Sequence, residues 1–350
     1  MTIEPYPPMI RTIQPTNLPS LLCGCPLIDV RSPGEFDQGH IPGAVNIPLF
    51  SDAERAVIGT LFVRAGQPQA ILKGLDIALP KVEDYLRKIK EVLPAGVMLL
   101  HCWRGGLRSA LMAEVFSKAG YEVALLEGGY KAYRHYIRAE LAKPAKIIVL
   151  GGYTGSGKTE ILHAIALKGE QVIDLEGLAC HKGSVFGAIG QPPQPTNEQF
   201  ENNLYDLWEK LDFSRPVWLE DESRMIGRVT LPDPVVEHLS NGLLIRTEME
   251  REYRIGRLVR DYALFDKQLL EDAIRKIGER LGGARTAAAL TALDNGRFGE
   301  VASIVLAWYD KAYLFAMARR KNKTLFDIPV SGTDPEQDAD LIIKCASNFF

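Results

Sequence analysis

The sequence predicts an α/β protein with two parallel-sheet domains and a helical C-terminal part. The apolar runs 97–100 and 147–150 are each followed directly by a glycine-containing loop and then by a predicted helix. Strand, loop and helix in this order are typical of parallel sheets. A length of 350 residues favours two domains over one.

The composition bounds the class of protein. With 46% hydrophobic and 24% charged residues it is typical of a globular protein. No apolar window is long enough for a membrane span, and residues 1–19 lack a signal-peptide pattern. Five cysteines suit a reducing compartment, so we expect a cytoplasmic protein. Cys23, Cys25 and Cys345 lack supporting charges and are expected to be incidental thiols. The net charge of −3 means that nucleic-acid binding would need a local basic patch.

The loop after residues 97–100 carries the first candidate site. It reads His-Cys-Trp-Arg-Gly-Gly-Leu-Arg-Ser and places Cys102 before the N-terminus of a helix. Backbone N–H groups there stabilise an anion and should favour a nucleophilic thiolate, while Arg104 and Arg108 add positive charge. The five residues between Cys102 and Arg108 suit a tetrahedral oxyanion. A phosphatase is therefore an alternative, although the loop lacks an aspartate that could act as general acid.

Two further segments belong to the N-terminal domain, which is expected over residues 1–143. Residues from about 51 to 80 resemble an insertion that forms a lid or filler, broken at Gly66 and again at 73–74. A basic helix over about 130–143 links the domains. It is either a solvated helix face or a contact to nucleic-acid phosphates, with interleaved tyrosines available for base stacking. Its basic side chains include Lys131, Arg134 and Arg138, and the tyrosines are Tyr130, Tyr133 and Tyr136.

The C-terminal domain, expected over residues 144–350, opens with a phosphate-binding motif. Residues 151–159 read Gly-Gly-Tyr-Thr-Gly-Ser-Gly-Lys-Thr, the P-loop pattern between a strand and a helix. Backbone N–H groups bind a di- or triphosphate, Lys158 adds a point charge, and Thr159 can bind Mg²⁺. The pattern does not specify the rest of the ligand. The predicted phosphate-binding residues are Gly152, Thr154, Gly155, Ser156, Gly157, Lys158 and Thr159.

Acidic residues follow a later apolar run, 216–219, in the arrangement that P-loop proteins use to orient Mg²⁺. Asp221 is the preferred partner of Thr159 in this magnesium site, with Glu220 and Glu222 as alternatives. Arg224 and Arg228 come next. They either bind phosphate or RNA, or pair with those acids.

Residues 243–247 are predicted to form the last strand, and the chain is predicted to be helical from about residue 248. Arg251, Arg254 and Arg257 are spaced by three residues and share roughly one helix face. The two interpretations are a salt-bridged helix surface and an RNA contact.

These motifs resemble known families. Asp29-Val30-Arg31, the run Gly39-His40-Ile41-Pro42-Gly43-Ala44, the Cys102 loop and Leu126-Glu127-Gly128-Gly129-Tyr130 resemble a rhodanese domain over roughly residues 10–140. Together with the P-loop, residues 174–184 and residues 217–224, nearly the whole chain resembles the bacterial tRNA 2-selenouridine synthase family. The resemblance therefore implies a rhodanese-like parallel-sheet domain followed by a P-loop domain.

The family resemblance also implies an activity. It implies a transferase that converts 2-thiouridine at the tRNA wobble position to 2-selenouridine, by S-geranylation with geranyl diphosphate and then selenium transfer from selenophosphate. Cys102 would carry selenium, and Arg104 and Arg108 would hold the phosphate. The implied partners are the anticodon region of tRNA and a selenophosphate-producing enzyme.

Two other functions fit the same motifs. One is a rhodanese-type sulfurtransferase with an attached ATPase domain, which would not need selenophosphate. The other is a nucleic-acid-binding P-loop protein whose cysteine domain is a degenerate interaction module. The intact Cys102 and its two loop arginines argue against the second alternative.

Overall fold

Two parallel sheets organise the chain. The structure, a computed structural model, describes residues 10–22, 24–319 and 324–349. The chain divides into an N-terminal unit that ends at Glu140 and a C-terminal unit that begins at Leu141. Each unit contains a five-stranded parallel sheet with helices, which confirms the predicted fold class.

The described residues of the N-terminal unit form five strands and seven helices, with single turns of 3₁₀ helix at Pro15–Asn17 and Leu79–Lys81. In chain order the elements are β1 (Ile10–Ile13), α1 (Leu18–Leu22), β2 (Leu27–Asp29), α2 (Pro33–Gln38), β3 (Val45–Asn46), α3 (Asp52–Ala65), α4 (Gln67–Ala78), α5 (Val82–Val92), β4 (Val97–His101), α6 (Leu107–Lys118), β5 (Glu122–Leu126) and α7 (Gly129–Leu141).

The strands of this unit lie in the order β1-β5-β4-β2-β3, so β4 is the middle strand. The apolar run that predicted β4 is buried because both faces of a parallel sheet are covered by helices. The hydrophobic core of this unit includes Leu100 of β4, Phe116 of α6 and Val123 of β5. The loop that leaves β4 therefore starts from the most constrained part of the sheet.

The predicted insertion consists mainly of the helices α3 and α4. The predicted break at Gly66 is confirmed, since this residue has φ +85° and separates the two helices. The predicted break at 73–74 was wrong. Gly74 is buried inside α4 and lies against Phe50, so the helix gains packing there and continues to Ala78.

The C-terminal unit contains the remaining elements. In chain order they are β6 (Ile147–Gly152), α8 (Lys158–Leu167), β7 (Gln171–Ile173), α9 (Leu175–Leu178), α10 (Asn197–Trp208), β8 (Val217–Glu220), β9 (Met225–Ile226), β10 (Val229–Thr230), α11 (Asp233–Asn241), β11 (Leu243–Glu248), α12 (Arg251–Tyr262), α13 (Lys267–Lys276), α14 (Gly278–Leu281), α15 (Gly283–Asp294), α16 (Phe298–Met317), β12 (Thr324–Pro329) and α17 (Pro335–Ala346).

The parallel sheet of this unit has the order β12-β11-β6-β8-β7, and β6 is again the middle strand. The prediction that residues 243–247 form the last strand was wrong, because β12 follows the long helical segment and pairs with β11. β12 is a short edge strand with an aspartate in its centre and a proline at its end, so its sequence gives a weak strand signal. Within the described residues, no helix combines the length and apolar character needed to cross a membrane.

Candidate functional sites

The cysteine loop connects the middle strand β4 to the N-terminus of α6. Cys102 directly follows β4 and is only 3% exposed. Its Sγ lies 3.2 Å from Oγ of Ser109, and the Ser109 hydroxyl also donates to the carbonyl of Gly106 at 3.0 Å. The hydroxyl can accept from a thiol or rotate to donate to a thiolate. Ser109 is thus a site residue for which the sequence pattern alone predicted no role.

The start of α7 fixes the shape of this loop. The backbone N–H of Tyr130 donates to the carbonyl of Cys102 at 2.9 Å, and that of Lys131 donates to Trp103 at 2.9 Å. Gly129 has φ +60°, and a Cβ there would lie 2.3 Å from the Cys102 carbonyl oxygen. Only glycine fits this close approach, so the turn before α7 is part of the site.

The two loop arginines differ in their surroundings. Arg104 is exposed, whereas Arg108 forms a two-bonded ion pair with Glu35, with Nη1 at 2.6 Å from Oε2 and Nη2 at 3.3 Å from Oε1. Glu35 is held in the first turn of α2, where it also accepts from the N–H of Ser32. Burial alone would raise the pKa of Glu35, but the hydrogen bonds and charge of Arg108, together with the Ser32 N–H and the charge of Arg55, lower it. An anion in the loop therefore has to compete with Glu35 for Arg108.

A buried charged cluster lies behind the loop. Arg31 donates to Asp29 from Nη2 at 2.6 Å and to the Gly39 carbonyl at 2.7 Å, and its guanidinium lies 3.9 Å from the ring centroid of Tyr130. His101 places Nε2 at 3.7 Å from the same aspartate, and burial lowers the pKa of His101. This cluster joins β2, β4 and α7 beneath Cys102.

The basic helix α7 is mostly packed against the unit that it leaves. Tyr130 and Tyr133 are buried and stack on one another with centroids 6.0 Å apart. The prediction that they are available for base stacking was wrong, because they are core residues. Arg134 is also buried, while Lys131 and Arg138 are exposed.

The P-loop connects the middle strand β6 to α8. Gly155 and Gly157 have φ values of +79° and +77°, conformations that favour glycine. A Cβ at Gly152 would lie 2.2 Å from the Thr247 hydroxyl oxygen. Lys158 donates from Nζ to the carbonyl of Gly152 at 3.1 Å, and the buried Ser156 hydroxyl bonds that of Thr247 at 3.1 Å. The loop therefore has the strand–loop–helix arrangement that binds phosphates.

Two buried arginines of α12 hold the P-loop from behind. Arg254 donates to Asp310 through two bonds of 2.8 Å and to the carbonyl of Thr154 at 3.3 Å. Arg257 pairs with Glu160 of α8 and donates to the carbonyl of Gly332 at 3.1 Å. Both side chains are engaged within the protein, so the salt-bridged interpretation of this helix face is confirmed for them.

Carboxylates gather around the end of the P-loop. Thr159 donates from Oγ1 to Oε2 of Glu176 at 3.1 Å, a partner that sequence reasoning missed. Burial and repulsion from Glu176 raise the pKa of Glu222 well above its usual range. Asp221 accepts from the hydroxyl of Tyr313 at 3.3 Å. Glu220 is fully buried and accepts a hydrogen bond from the N–H of Leu175 at 2.8 Å. Its role is therefore structural.

The predicted magnesium site, Thr159 with Asp221, can be compared with this donor set. Within the described residues, no group of three His, Cys, Asp or Glu side chains is arranged to hold a metal ion alone. Mg²⁺ usually binds one or two carboxylates and takes further ligands from substrate phosphates. The crowded carboxylates of Glu176 and Glu222 beside Thr159 fit such a partial site.

The remaining candidate residues lie as follows. Arg224 pairs with Asp233 at 2.7 Å, and Arg228 donates to the carbonyl of Gln194 at 2.5 Å. These contacts differ from the predicted alternative, in which both arginines pair with the acidic residues 220–222. Cys23 lies outside the described residues.

Comparison with known proteins covers both sites. Residues 145–330 match the family described as tRNA 2-selenouridine synthase AAA domain, and residues 15–136 match the rhodanese-like domain. A tRNA 2-selenouridine synthase of Sulfurovum sp. is 36% identical, covering 87% of this chain and 92% of the relative. Those of Nitrosomonas europaea and Shewanella woodyi are 33% and 38% identical, covering 86% and 75% of this chain and 91% and 71% of the relatives. The chain thus belongs to the tRNA 2-selenouridine synthase family.

Proposed function

We propose that this protein converts wobble 2-thiouridine of tRNA to 2-selenouridine in two steps, one at each loop. The first step transfers a geranyl group from geranyl diphosphate to the sulfur, and the second replaces the geranylated sulfur with selenium from selenophosphate. The observation that carries the proposal is that a buried thiol and a P-loop each follow the middle strand of a parallel sheet in one chain. The substrate suggests a cytoplasmic enzyme that binds the tRNA anticodon region.

The P-loop is proposed to bind geranyl diphosphate. Its N–H groups and Lys158 would stabilise the negative charge that develops on the diphosphate as it leaves. A bound Mg²⁺ would add Lewis-acid stabilisation of the same charge. Thr159 and Glu176, with Asp221 or Glu222, are the residues that would hold it.

The cysteine loop is proposed to transfer selenium. Attack of the Cys102 thiolate on the selenium of selenophosphate forms an S–Se bond and breaks the Se–P bond. The electron pair of that bond leaves with phosphorus, which is released as phosphite, so the phosphorus is reduced as the selenium is oxidised. Selenium then bonds to C2 of the base as geranylthiolate leaves, and a thiol reductant cleaves the S–Se bond to free 2-selenouridine. Ser109 would donate to the thiolate. Arg108 and the exposed Arg104 would hold the PO₃ group of selenophosphate. A selenophosphate-producing enzyme would supply the selenophosphate.

Two substitutions separate the steps. In Cys102→Ala, selenation should fall by at least ~10³-fold, and S-geranyl-2-thiouridine should accumulate in the tRNA. In Lys158→Ala, geranylation should fail, whereas tRNA that already carries S-geranyl-2-thiouridine should still be selenated. Nucleoside mass spectrometry after incubation with geranyl diphosphate and selenophosphate measures both products.

The opposite pattern would overturn the assignment of the steps. If Lys158→Ala geranylates normally and fails only in selenation, the P-loop does not bind the geranyl donor. If the unmodified protein instead turns over thiosulfate and a nucleotide without using selenophosphate, it is a sulfurtransferase with an attached ATPase domain.

A further inference from the structure

A large groove adjoins the cysteine loop in the N-terminal unit. Its volume is about 600 Å³, well within the ~300–1,000 Å³ of typical small-molecule sites. The helices α3 and α4 of the insertion and α6 supply most of its walls. The apolar side chains that line it include Ile58, Phe62, Ala70, Ile71, Leu107 and Leu111.

The walls expose apolar surface that the core does not use. Phe62 is 56% exposed, Leu107 58% and Ile71 36%. A cluster of large exposed apolar side chains around one concavity marks a binding site. Gly59 also lines the groove, and a Cβ there would meet nothing within 4 Å. Glycine destabilises a helix interior, so packing within α3 does not explain Gly59. The open space that it leaves in the groove does.

The groove borders the helix turn that follows the cysteine loop. Leu107 and Arg108 line it, and both belong to the first turn of α6, which directly follows the loop of Cys102. Arg55, another lining residue, reaches Glu35 at 3.7 Å, so it shares the partner of Arg108. The groove therefore has two arginines at the end next to the loop, and its other lining residues are apolar except for Gln67 and Glu114.

We infer that this groove binds the ten-carbon geranyl chain of S-geranyl-2-thiouridine while selenium is transferred at Cys102. The inference rests on the proposed function, which brings that nucleoside to the cysteine loop. Each buried methylene of the chain strengthens binding roughly fourfold. The chain thus anchors the base beside the thiol and turns the sulfur substituent into a recognition element.

The apolar cavity next to the P-loop offers a contrast. It is lined by Thr154, Leu258, Tyr262 and Val305, among others, and has a volume of about 60 Å³. A ten-carbon chain has space in the groove of the N-terminal unit that this cavity does not provide. Of these two cavities, the groove is therefore the one that is large enough to bury the whole chain.

Filling the groove tests the inference. Gly59→Leu places a side chain in open space and should leave the fold intact, and Val63→Leu changes the same helix at a side chain that is 85% exposed and does not line the groove. Calorimetric titration of the full chain should show that S-geranyl-2-thiouridine binds at least tenfold more tightly than S-methyl-2-thiouridine. Gly59→Leu should abolish that preference, and Val63→Leu should keep it.

Selenation of tRNA carrying either nucleoside supplies the second measurement. In Gly59→Leu the KM for the geranylated tRNA should rise about tenfold, while Val63→Leu should have the KM of the unmodified protein. Equal binding of the two nucleosides by the unmodified protein, or an undiminished preference in Gly59→Leu, would overturn the inference. If the preference behaves as expected but neither tRNA is selenated, the groove binds the chain and the proposed function fails.

Discussion

The cysteine loop and the P-loop each follow the middle strand of a five-stranded parallel sheet, and each is supported by a buried arginine. Arg31 pairs with Asp29 and lies on the ring of Tyr130, while Arg254 pairs with Asp310 and lies 5.0 Å from the ring centroid of Tyr153. The difference is in what each arginine holds. Arg254 donates directly to the Thr154 carbonyl of its loop, whereas Arg31 binds elements behind the loop.

The cation of each loop also has an internal partner, and these partners differ in charge. Arg108 forms hydrogen bonds with the carboxylate of Glu35, whereas the hydrogen bond of Lys158 goes to the neutral carbonyl of Gly152. A ligand anion displaces a carbonyl more easily than a full negative charge. The P-loop should therefore bind its phosphates with little rearrangement, and the cysteine loop should bind an anion only in competition with Glu35.

The largest effect is expected for Arg31→Met. The substitution leaves Asp29 buried without its ion-pair partner and should cost about 3–5 kcal/mol of unfolding free energy, measured by urea denaturation. Arg87→Met, which removes two exposed ion pairs on α5, is the control and should leave stability nearly unchanged. The affinity for inorganic diphosphate should also stay unchanged in Arg31→Met. A loss of that affinity would show that Arg31 does more than support the fold of its own unit.

A smaller but more local effect is expected for Arg254→Met. The Thr154 carbonyl loses a donor, so the P-loop is less well ordered for its ligand, and the affinity for inorganic diphosphate should fall about tenfold. Isothermal titration measures it, and Arg251→Met is the matched control, because that side chain of the same helix donates to Ser303 instead. Equal affinities in both variants would mean that Arg254 supports only the core, as Arg31 is expected to do.

These comparisons also indicate what sequence patterns could predict. Both loops, β4, β6 and their helices were predicted, because each depends on a contiguous strand–loop–helix pattern. The partners of the loops were not predicted, because they come from distant parts of the chain: Glu35 for Arg108, Glu176 for Thr159, and Arg254 for Thr154. No local periodicity encodes such pairs. The spacing of the α12 arginines predicted a shared face, but only the fold shows that this face is turned toward the P-loop.

The smallest effect, and the one that tests the competition at Arg108, is expected for Glu35→Gln. Arg108 lowers the pKa of Glu35 below its ordinary value of 4.5 despite burial. The ion pair therefore stabilises the fold above that value, and this contribution, about 1 kcal/mol, is lost as the pH falls through the lowered pKa. Glu35→Gln should remove this acid-dependent loss from the unfolding free energy measured by urea denaturation between neutral and acid pH.

The same variant should change anion binding in the opposite direction. Because the substitution replaces the carboxylate with an uncharged amide, Arg108 is no longer held by a negative charge. The affinity of the full chain for inorganic phosphate at neutral pH should therefore rise several-fold. Cys102 alkylation by iodoacetamide, with and without phosphate, reports occupancy of the loop itself rather than of the P-loop. Protection that is no stronger in Glu35→Gln than in the unmodified protein would mean that Glu35 does not compete with the anion. Arg108 would then serve the fold, as Arg31 does, and Arg104 would be the anion-binding cation of the loop.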